Sequence, residues 1–337
     1  MKTYQVFLSD THFGIKNNSL TWLESQLNFF KKDVIPTLKK LSNKGDRLSF
    51  VHCGDLFDSK SSLNVLVWKT VEKLLCDEIC PLCDDVFILA GNHDCYSNTE
   101  QEYNVNSLDT LKGKDDNLTI IDNYSLLIDR DDKKIALMPW FDFHNIDKLK
   151  DIVKNRPEII FTHTDLEHLS SEIRSLTDGI TIVSGHIHYP FILNENYCLG
   201  SCYAQTFADS NTERGFWVTE DWDLSKMIFV PNNSSIKFWR FHDEDIFELA
   251  DKMNDSDNIE IYIDKDLLKQ EDVAKQISKI NEKFNRPKII PTENNVEVTE
   301  SKSLSSELFD IKVLIQNEIP ENLQEKFKII VEKYNLK

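Results

Sequence analysis

The chain has 337 residues, and 40% of them are hydrophobic, which allows a substantial core and excludes wholesale disorder. Its formal net charge of −18 argues against a protein that coats nucleic acid through a broad basic face, although a local basic groove or a partner could supply that grip. No apolar run approaches the roughly 20 residues that cross a bilayer, and the N-terminal stretch MKTYQVFLSD lacks the features of a secretory signal. We therefore expect a cytoplasmic protein without a membrane attachment.

Hydrophobic spacing in the first two thirds of the chain alternates between strand-like and helix-like patterns. Two segments have helical spacing, at residues 20–41 and 63–75. Short apolar runs predict strands at residues 4–8, 48–51, 86–90, 120–121, 125–128, 135–140, 159–162 and 181–184. An all-β pattern follows from residue 197 to residue 230. Alternating β and α units followed by a β meander predict an α/β fold, in which a two-sheet sandwich flanked by helices occupies residues 1–235.

The composition shifts at the sequence PNNSS, residues 231–235, which is typical of a linker or a tight turn. A strand–helix–strand–helix–strand pattern follows and predicts a small α+β cap domain at residues 236–300. Residues 301–337 contain a polar joint and then two short segments with apolar residues at helical spacing. Such a C-terminal helical tail either packs on its own domain or docks on another chain, and the pattern leaves both alternatives open.

The chain contains seven cysteines, an odd number that, without an export signal, favours reduced thiols. Cys76, Cys80 and Cys83 are close enough in sequence to raise the possibility of a zinc knuckle, with Cys95 as a fourth ligand. Because the paired CxxC spacing of structural zinc sites is absent, free thiols are the favoured interpretation.

Five of the predicted strands end in carboxylate, imidazole or amide side chains, in the sequences SDTH, GDLFD, GNHD, TH and GHIH. The carboxyl ends of strands in an α/β sheet converge on one rim, so residues far apart in sequence should meet there. Alternate residues of an extended chain point the same way, so Asp10 with His12, and His186 with His188, should each present two donors together. Three glycines suit sharp turns at the sheet edge: Gly54, Gly91 and Gly185.

The polar side chains at these strand ends form a set of oxygen and imidazole donors without an obvious thiolate. The candidate metal ligands are Asp10, His12, Asp55, Asn92, His163, His186 and His188. Such a mixture suits manganese, iron or zinc better than calcium or copper(I). Seven ligands are too many for one tetrahedral ion and fit two ions that share a carboxylate. Two metals about 3.5–4 Å apart can activate a water and clamp a phosphate. The other histidines are expected to be packed or at the surface: His52, His144, His168 and His242.

The ordered motifs DTH…GDLFD…GNHD…H…GHIH resemble those of the calcineurin-like metallophosphoesterase superfamily over about residues 1–235. Within the superfamily, the chain is similar to the SbcD-type nuclease subunit of the double-strand-break repair complex, particularly the versions carried by large bacteriophages. GDLFDS and GNHD differ from the GDxxDRG and GNHE motifs of protein phosphatases. The stretches GSCY and RGFW, at residues 200–203 and 214–217, resemble the segment that follows the last metal motif in these nucleases.

The resemblance implies a role for each candidate residue. It assigns one metal to Asp10, His12 and His188, the other to Asn92, His163 and His186, and a bridging position to Asp55. His93 is implied to be no ligand but to face the scissile phosphate, where it stabilises charge or protonates the leaving oxygen. Asp58 is expected to orient His93, because an imidazole needs a partner to fix its tautomer.

The resemblance also implies an activity and partners. Relatives are typically manganese-dependent 3′-to-5′ exonucleases on duplex ends and endonucleases on single-stranded or hairpin DNA, in repair, recombination or replication. They dimerise through helices, for which residues 63–75 are the candidate, with an ordinary core helix as the alternative. The cap domain is expected to contact DNA and the tail to dock on an SbcC-like coiled-coil ATPase. Two other functions stay open: a different phosphoesterase, acting on cyclic nucleotides or phosphoproteins, and a mainly architectural clamp subunit.

Overall fold

The computed structural model describes residues 2–42, 46–60, 62–96, 105–129, 131–247, 253–284 and 287–292. The chain divides into a first unit, Met1–Pro291, and a second unit, Thr292–Lys337. The predicted helical tail, residues 301–337, lies outside the described residues. Among the residues that are described, no helix has the length and apolar character that spanning a bilayer requires.

Strands alternate with helices in the first part of the chain as predicted, whereas three short helices between residues 140 and 176 were not predicted. The strands are β1 (Thr3–Leu8), β2 (Arg47–His52), β3 (Asp85–Leu89), β4 (Leu118–Ile121), β5 (Ser125–Ile128), β6 (Lys134–Leu137), β7 (Ile159–His163), β8 (Thr181–Gly185), β9 (Phe191–Leu193), β10 (Asn196–Cys198), β11 (Gly215–Glu220), β12 (Ile228–Pro231), β13 (Phe238–His242), β14 (Asn258–Asp264) and β15 (Lys288–Thr292). The helices are α1 (Ile15–Asn18), α2 (Leu20–Phe29), α3 (Ile35–Ser42), α4 (Val65–Lys73), α5 (Trp140–His144), α6 (Ile146–Val153), α7 (Ser171–Leu176) and α8 (Glu271–Lys283). A π-helical turn, Phe30–Val34, joins α2 to α3, so the long helix predicted at residues 20–41 is continuous.

Two six-stranded sheets form the body of the fold and confirm the predicted sandwich. The first has the strand order β12-β11-β1-β2-β3-β4, and the second has the order β5-β6-β7-β8-β10-β9. Strands β1 to β4 are parallel in the first sheet, and β6, β7, β8 and β10 are parallel in the second. The strands from residue 197 to residue 230 are therefore not one meander. Strand β10 extends the second sheet, whereas β11 and β12 extend the first.

The core between the sheets is built from alternate residues of neighbouring strands. Phe7, Val51 and Phe87 lie in register across the first sheet and face inward. Phe161 of the second sheet packs against Phe7 with ring centroids 4.9 Å apart. The residues one position away in the first sheet, such as Phe50, face the layer of α2, α3 and α4 instead. Both faces of each sheet are thus buried, as a largely parallel sheet requires.

The strand predicted to run to Trp140 ends earlier, at Leu137. Pro139 has no backbone N–H to continue the ladder, and it adopts an extended conformation directly before α5. Trp140 is consequently the first residue of a helix, at the same sheet rim as the predicted metal ligands.

Helix α4 combines a buried face with an exposed first turn. Asn64 caps it by accepting hydrogen bonds from the backbone N–H groups of the first turn, and Val67 and Val71 are buried in the core. Val65 and Leu66 are 77% and 53% exposed. The core interpretation of this helix accounts for its inner face, and its predicted part in a homodimer stays a prediction.

The C-terminal part of the first unit contains a third sheet, β13-β14-β15, with helix α8 packed on it. Its core is a separate apolar cluster that includes Phe241, Ile261 and Ile277. Between β13 and β14, where the pattern predicted the first helix of the cap, the structure has a 3₁₀ turn, Asp243–Phe247, and residues 248–252 lie outside the described residues. The α+β pattern of the cap is therefore present, and its boundaries at 236 and 300 stay predictions.

Candidate metal centre

The carboxyl ends of five parallel strands bring the predicted metal ligands together. Strands β1, β2 and β3 supply Asp10, His12, Asp55 and Asn92, and strands β7 and β8 of the other sheet supply His163, His186 and His188. Three groups at the site each bring one ligand atom per residue within 4.8 Å of the others: Asp10, His12 and His188 form the first, Asp55, His163 and His186 form the second, and His12, Asp55 and His93 form a third that links them. The site therefore lies where the rims of the two sheets meet.

Asp55 lies between the two groups. Its Oδ2 atom is 3.6 Å from Nε2 of His12 in the first group and 3.2 Å from Nε2 of His163 in the second. Asp10 Oδ1 is 3.8 Å from His12 Nε2 and 4.0 Å from His188 Nε2. This arrangement fits the bridging position that the sequence motifs implied for Asp55.

Asn92 places its side-chain oxygen between two imidazoles of the second group. Asn92 Oδ1 is 3.1 Å from His163 Nε2 and 3.0 Å from His186 Nδ1. The other ring nitrogen of His163 contacts the main-chain oxygen of Cys53 at 2.8 Å, which fixes the orientation of the ring.

The backbone reaches this geometry through left-handed conformations and not through extended chain. Asp10, His12, Asp55 and His186 have φ angles of 55°, 41°, 57° and 82°. The expectation that alternate residues of an extended segment present their donors together was therefore wrong in its reasoning, although the donors do converge. Non-glycine residues in this region are strained and persist only when the surrounding structure determines them.

Two glycines at the strand ends are required by close approach. A Cβ atom on Gly91 would lie 2.2 Å from Asp55 Oδ1, and one on Gly54 would lie 2.4 Å from His163 Nδ1. Gly54 also has a φ of 94°, as expected of a sharp turn, whereas Gly91 is not among the residues with positive φ. The glycines of GDLFD and GNHD thus leave the space that two ligand side chains occupy.

Buried polar atoms at the centre of the site lack partners. Within the part of the chain that the structure describes, Asp10 Oδ1 and both ring nitrogens of His12 have no hydrogen-bond partner. Leaving such groups unpaired in a buried place is costly, and divalent cations are the partners that carboxylate oxygens and imidazole nitrogens share. The residues present therefore fit a metal pair.

The charges of the site shift its pKa values in opposite directions. Burial disfavours the ionised form of Asp55, but the neighbouring His163 and His12 outweigh it and hold the pKa of Asp55 at about 2. Burial also disfavours the charged form of His163, but the carboxylates of Asp55 and Asp10 raise the pKa of that imidazole to about 9. For His186, burial and the nearby His163 lower the pKa to about 4. The metal-free site thus holds ionised carboxylates against a protonated His163.

His93 lies beside the ligands and is oriented by main-chain groups. Its ring is 4.8 Å from that of His12 between centroids, and its backbone N–H donates to Asp55 Oδ1 at 2.8 Å. Its Nδ1 contacts the main-chain oxygen of Asp58 at 2.8 Å. The expectation that the Asp58 carboxylate orients His93 needs correction, because Oδ1 of Asp58 instead lies 3.7 Å from His12 Nδ1. Asp58 orients His93 through its carbonyl.

Asp94 is a structural residue of the site that the sequence interpretation did not identify. Its carboxylate is buried and accepts hydrogen bonds from the backbone N–H groups of Leu56, Phe57 and Gly91, at 3.2, 3.0 and 3.0 Å. Burial and the charge of Asp55 raise its pKa to about 6. Asp94 therefore ties the GDLFD loop to the GNHD loop, and its place as the last residue of GNHD was the only signal for it.

The remaining histidines take the packed or surface positions expected of them. His52 is buried and contacts Thr11 Oγ1 at 2.9 Å, and burial lowers its pKa to about 3. His144 contacts Thr164 Oγ1 at 3.0 Å. His168 is exposed and belongs with Asp165 and Glu167 to a further cluster of possible ligands outside the site. His242 is exposed and stacks on a tyrosine ring.

The cysteines give no support to a zinc knuckle. Among the described residues, none of the four groupings of possible metal ligands contains a cysteine. Cys80 and Cys83 are buried as free thiols, and burial raises their pKa values above the usual range.

The chain is similar to known proteins at the level of a family. No curated protein matched the chain significantly. Among solved structures, a provisionally assigned 5′-nucleotidase from Staphylococcus aureus, in complex with α-ketoglutarate, has 13% identity and a TM-score of 0.38, and the match covers 68% of this chain. The chain spans about half of that structure's length, 53%. A protein of unknown function from Aquifex aeolicus has 15% identity and a TM-score of 0.26, with 59% of this chain and 89% of that one covered. The family model for calcineurin-like phosphoesterases matches residues 5–195, more than half of the chain and all of the ligands above. The chain belongs to the calcineurin-like phosphoesterase family.

Proposed function

We propose that the chain is the nuclease subunit of an SbcD-type complex, which hydrolyses DNA phosphodiesters with two manganese ions. Family membership already makes it a metal-dependent phosphoester hydrolase. The observation that carries the proposal is the pair of ligand groups that meet at Asp55, with His93 beside them. The donor set of carboxylates, imidazoles and one amide suits manganese.

The protein's own groups divide the work of such a reaction. One ion would be held by Asp10, His12 and His188, and the other by Asn92, His163 and His186. Asp55 would contribute to both. When bound, a metal pair supplies a nucleophile from water and neutralises charge on the phosphate. The two sheets fix these side chains before substrate arrives, because each ligand follows a strand with both faces buried.

His93 would act on the proton of the leaving group. Since the carbonyl of Asp58 can only accept, Nδ1 of His93 carries a proton, and Nε2 is left as the nitrogen that exchanges one. A protonated Nε2 can donate to the leaving oxygen of a cut strand, which is worth about 10²–10⁴-fold in rate for a positioned acid. His93 is only partly buried, so a phosphate can approach it.

Two features favour DNA over a small phosphoester. The motifs GDLFD and GNHD are those of the nuclease-type resemblance and not those of protein phosphatases. The third sheet with α8 has its own apolar core and adds a surface that a small-substrate enzyme does not need. The net charge of −18 opposes DNA binding by the chain alone, so a partner has to supply the grip, for which we propose an SbcC-like ATPase docked on residues 301–337. We also propose a homodimer through α4, whose first turn exposes Val65 and Leu66.

The test is a substrate panel with the purified chain and Mn²⁺: blunt duplex DNA, hairpin DNA, single-stranded DNA, cyclic nucleotides and a phosphopeptide. We expect the chain to cleave DNA. Chelation of the metal should abolish this activity, and the Asp55→Asn variant should be inactive. Asp147→Asn, at an exposed position of α6 outside the site, serves as the control and should cleave normally. Turnover of another ester without cleavage of any DNA would reject the nuclease and leave the family assignment in place.

A further inference from the structure

The loop that follows β10, residues 199–214, folds back onto the main chain of the first ligand group. The carbonyl oxygen of His188 accepts hydrogen bonds from the backbone N–H of Ser201 at 2.9 Å, from Ser201 Oγ at 3.3 Å and from Nη1 of Arg214. In the same loop, Nε2 of Gln205 donates to the main-chain oxygen of Asp10 at 3.1 Å. The loop thus holds the backbone of two ligands of one metal position.

Arg214 is a buried cation with a fixed partner. Its side chain is 5% exposed, and Nη2 lies 2.8 Å from Oδ1 of Asp209, which is itself 8% exposed. Asp209 is held in turn, because its Oδ2 accepts the backbone N–H groups of Gln205 and Thr206 at 2.9 and 3.0 Å. Within the described residues Nε of Arg214 has no partner, so the guanidinium is held by its two terminal nitrogens, Nη2 on Asp209 and Nη1 on the carbonyl of His188.

Among the described residues, His188 and His12 are the site histidines whose rings no hydrogen bond orients. The rings of His163 and His93 are oriented by main-chain oxygens, and the ring of His186 by Asn92. Within the described residues, no hydrogen bond holds the ring of His188, which is 33% exposed. Its imidazole is therefore directed by the backbone conformation of residue 188, and that backbone is gripped by Arg214.

We infer that Arg214, fixed by Asp209, is a positioning residue that sets the place of His188 and so the affinity of one of the two metal positions. The inference rests on the proposed two-metal function. Arg214 does not touch the metal ligands' side chains or the reacting atoms, and it acts through the carbonyl of His188. Partners of this kind are worth about 10–100-fold in metal affinity when they are removed.

The test is Mn²⁺ binding to the metal-free full-length chain, followed by calorimetry and by the electron paramagnetic resonance signal of free Mn²⁺. We expect the wild type to bind two ions. Arg214→Met should keep one at wild-type affinity and weaken the other about tenfold or more. Arg214→Lys keeps the positive charge beside Asp209, but a single ammonium group cannot replace both terminal nitrogens of the guanidinium. Its loss of Mn²⁺ affinity should therefore be intermediate. Arg174→Met is the matched control, because Arg174 also donates to loop carbonyls, of Leu169 and Glu167, but is exposed and outside the site.

A double-mutant cycle assigns the effect to His188. In a His188→Ala background, Arg214→Met should change Mn²⁺ binding less than about twofold, because the residue it positions is gone. In a His186→Ala background, Arg214→Met should weaken the binding of the remaining Mn²⁺ ion as much as it does in the otherwise wild-type protein. Three results would overturn the inference. Arg214→Met could weaken the binding of both ions equally, its effect could add fully to that of His188→Ala, or a folded Arg214→Lys protein could bind Mn²⁺ with unchanged affinity. If the wild-type protein bound no metal, the proposed two-metal function itself would be rejected. This result differs from those that reject only the role of Arg214.

Discussion

Replacement of Asp94 tests whether this residue holds the two central loops of the site together. Asp94→Ala removes the acceptor of three backbone N–H groups, those of Leu56, Phe57 and Gly91. Because Asp94 is buried, water does not replace the carboxylate without a rearrangement of both loops. Asp55 and Asn92 lie in these loops, so the loss should reach the metal ligands as well as the stability of the fold.

The magnitude follows from the number of donors. A buried donor without an acceptor costs about 1–3 kcal/mol, so three of them set an upper bound of about 9 kcal/mol. The variant also removes a carboxylate whose ionised form is disfavoured by burial and by Asp55, which offsets part of this cost. We expect Asp94→Ala to lower the free energy of unfolding by about 3–5 kcal/mol, and Asp94→Asn by about 1–2 kcal/mol because its oxygen still accepts.

The assay is urea unfolding of the metal-free protein, followed by the fluorescence of its six tryptophans. Asp129→Ala is the matched control. Its Oδ1 also accepts two backbone N–H groups, of Asp131 and Lys133 at 2.9 and 2.8 Å, but the residue is partly exposed in a turn. The control should lose less than about 1 kcal/mol, because water can take over its role. An Asp94→Ala protein within about 1 kcal/mol of the wild type, or a control that loses as much, would refute the reasoning.

The metal centre and the tail allow further tests. His93→Ala should bind two Mn²⁺ ions normally and lose about 10²–10⁴-fold in rate, and loss of metal would contradict its assignment as a non-ligand. Mn²⁺ at 100 times its dissociation constant should raise the free energy of unfolding by about 2.7 kcal/mol per site, whereas an unchanged thermal midpoint would argue against the site. Because neighbouring carboxylates raise the pKa of His163 to about 9 against the effect of burial, a proton must leave when metal binds below that pH. Mn²⁺ affinity should therefore rise about tenfold per unit between pH 7 and 9, and calorimetry in two buffers should detect the proton; a flat profile would contradict this. Deletion of residues 303–337 should leave folding and basal manganese-dependent cleavage intact and abolish binding to the ATPase partner, and an unfolded product would favour a tail packed on its own domain.

The positions of the ligands could be predicted because two independent patterns agree at each of them. A short apolar run marks a buried strand, and an acid, amide or histidine follows it directly, as at Asp55 after β2 and His163 at the end of β7. Parallel strands then force these ends to one rim, whichever sheet they belong to. The distribution of β10 to β12 over two sheets could not be predicted, because apolar alternation does not say which neighbour a strand pairs with.

The local geometry of the site was harder to predict from the sequence. Asp and His adopt a left-handed backbone more often than other non-glycine residues, but the conformation is still uncommon for them, so the residue types of Asp10 and His12 did not predict it. Asp94 and Arg214 were missed for a different reason. Their partners are main-chain atoms, up to 38 residues away in sequence for Asp94 and 26 for Arg214. A residue pattern does not reveal which distant backbone group a side chain contacts.

The ligand cluster combines strained backbone with buried polar atoms that lack partners, and this combination explains the construction around it. Four ligand residues adopt positive φ, and Asp10 and His12 bury polar atoms that lack partners among the described residues. Each feature costs folding free energy in the metal-free chain. They persist because the surroundings leave no alternative: strands buried on both faces precede the ligands, glycines admit Asp55 and His163, and buried charges such as Asp94 grip the loops. A metal pair would supply the missing partners, so metal binding would offset part of this cost and stabilise the ligand cluster.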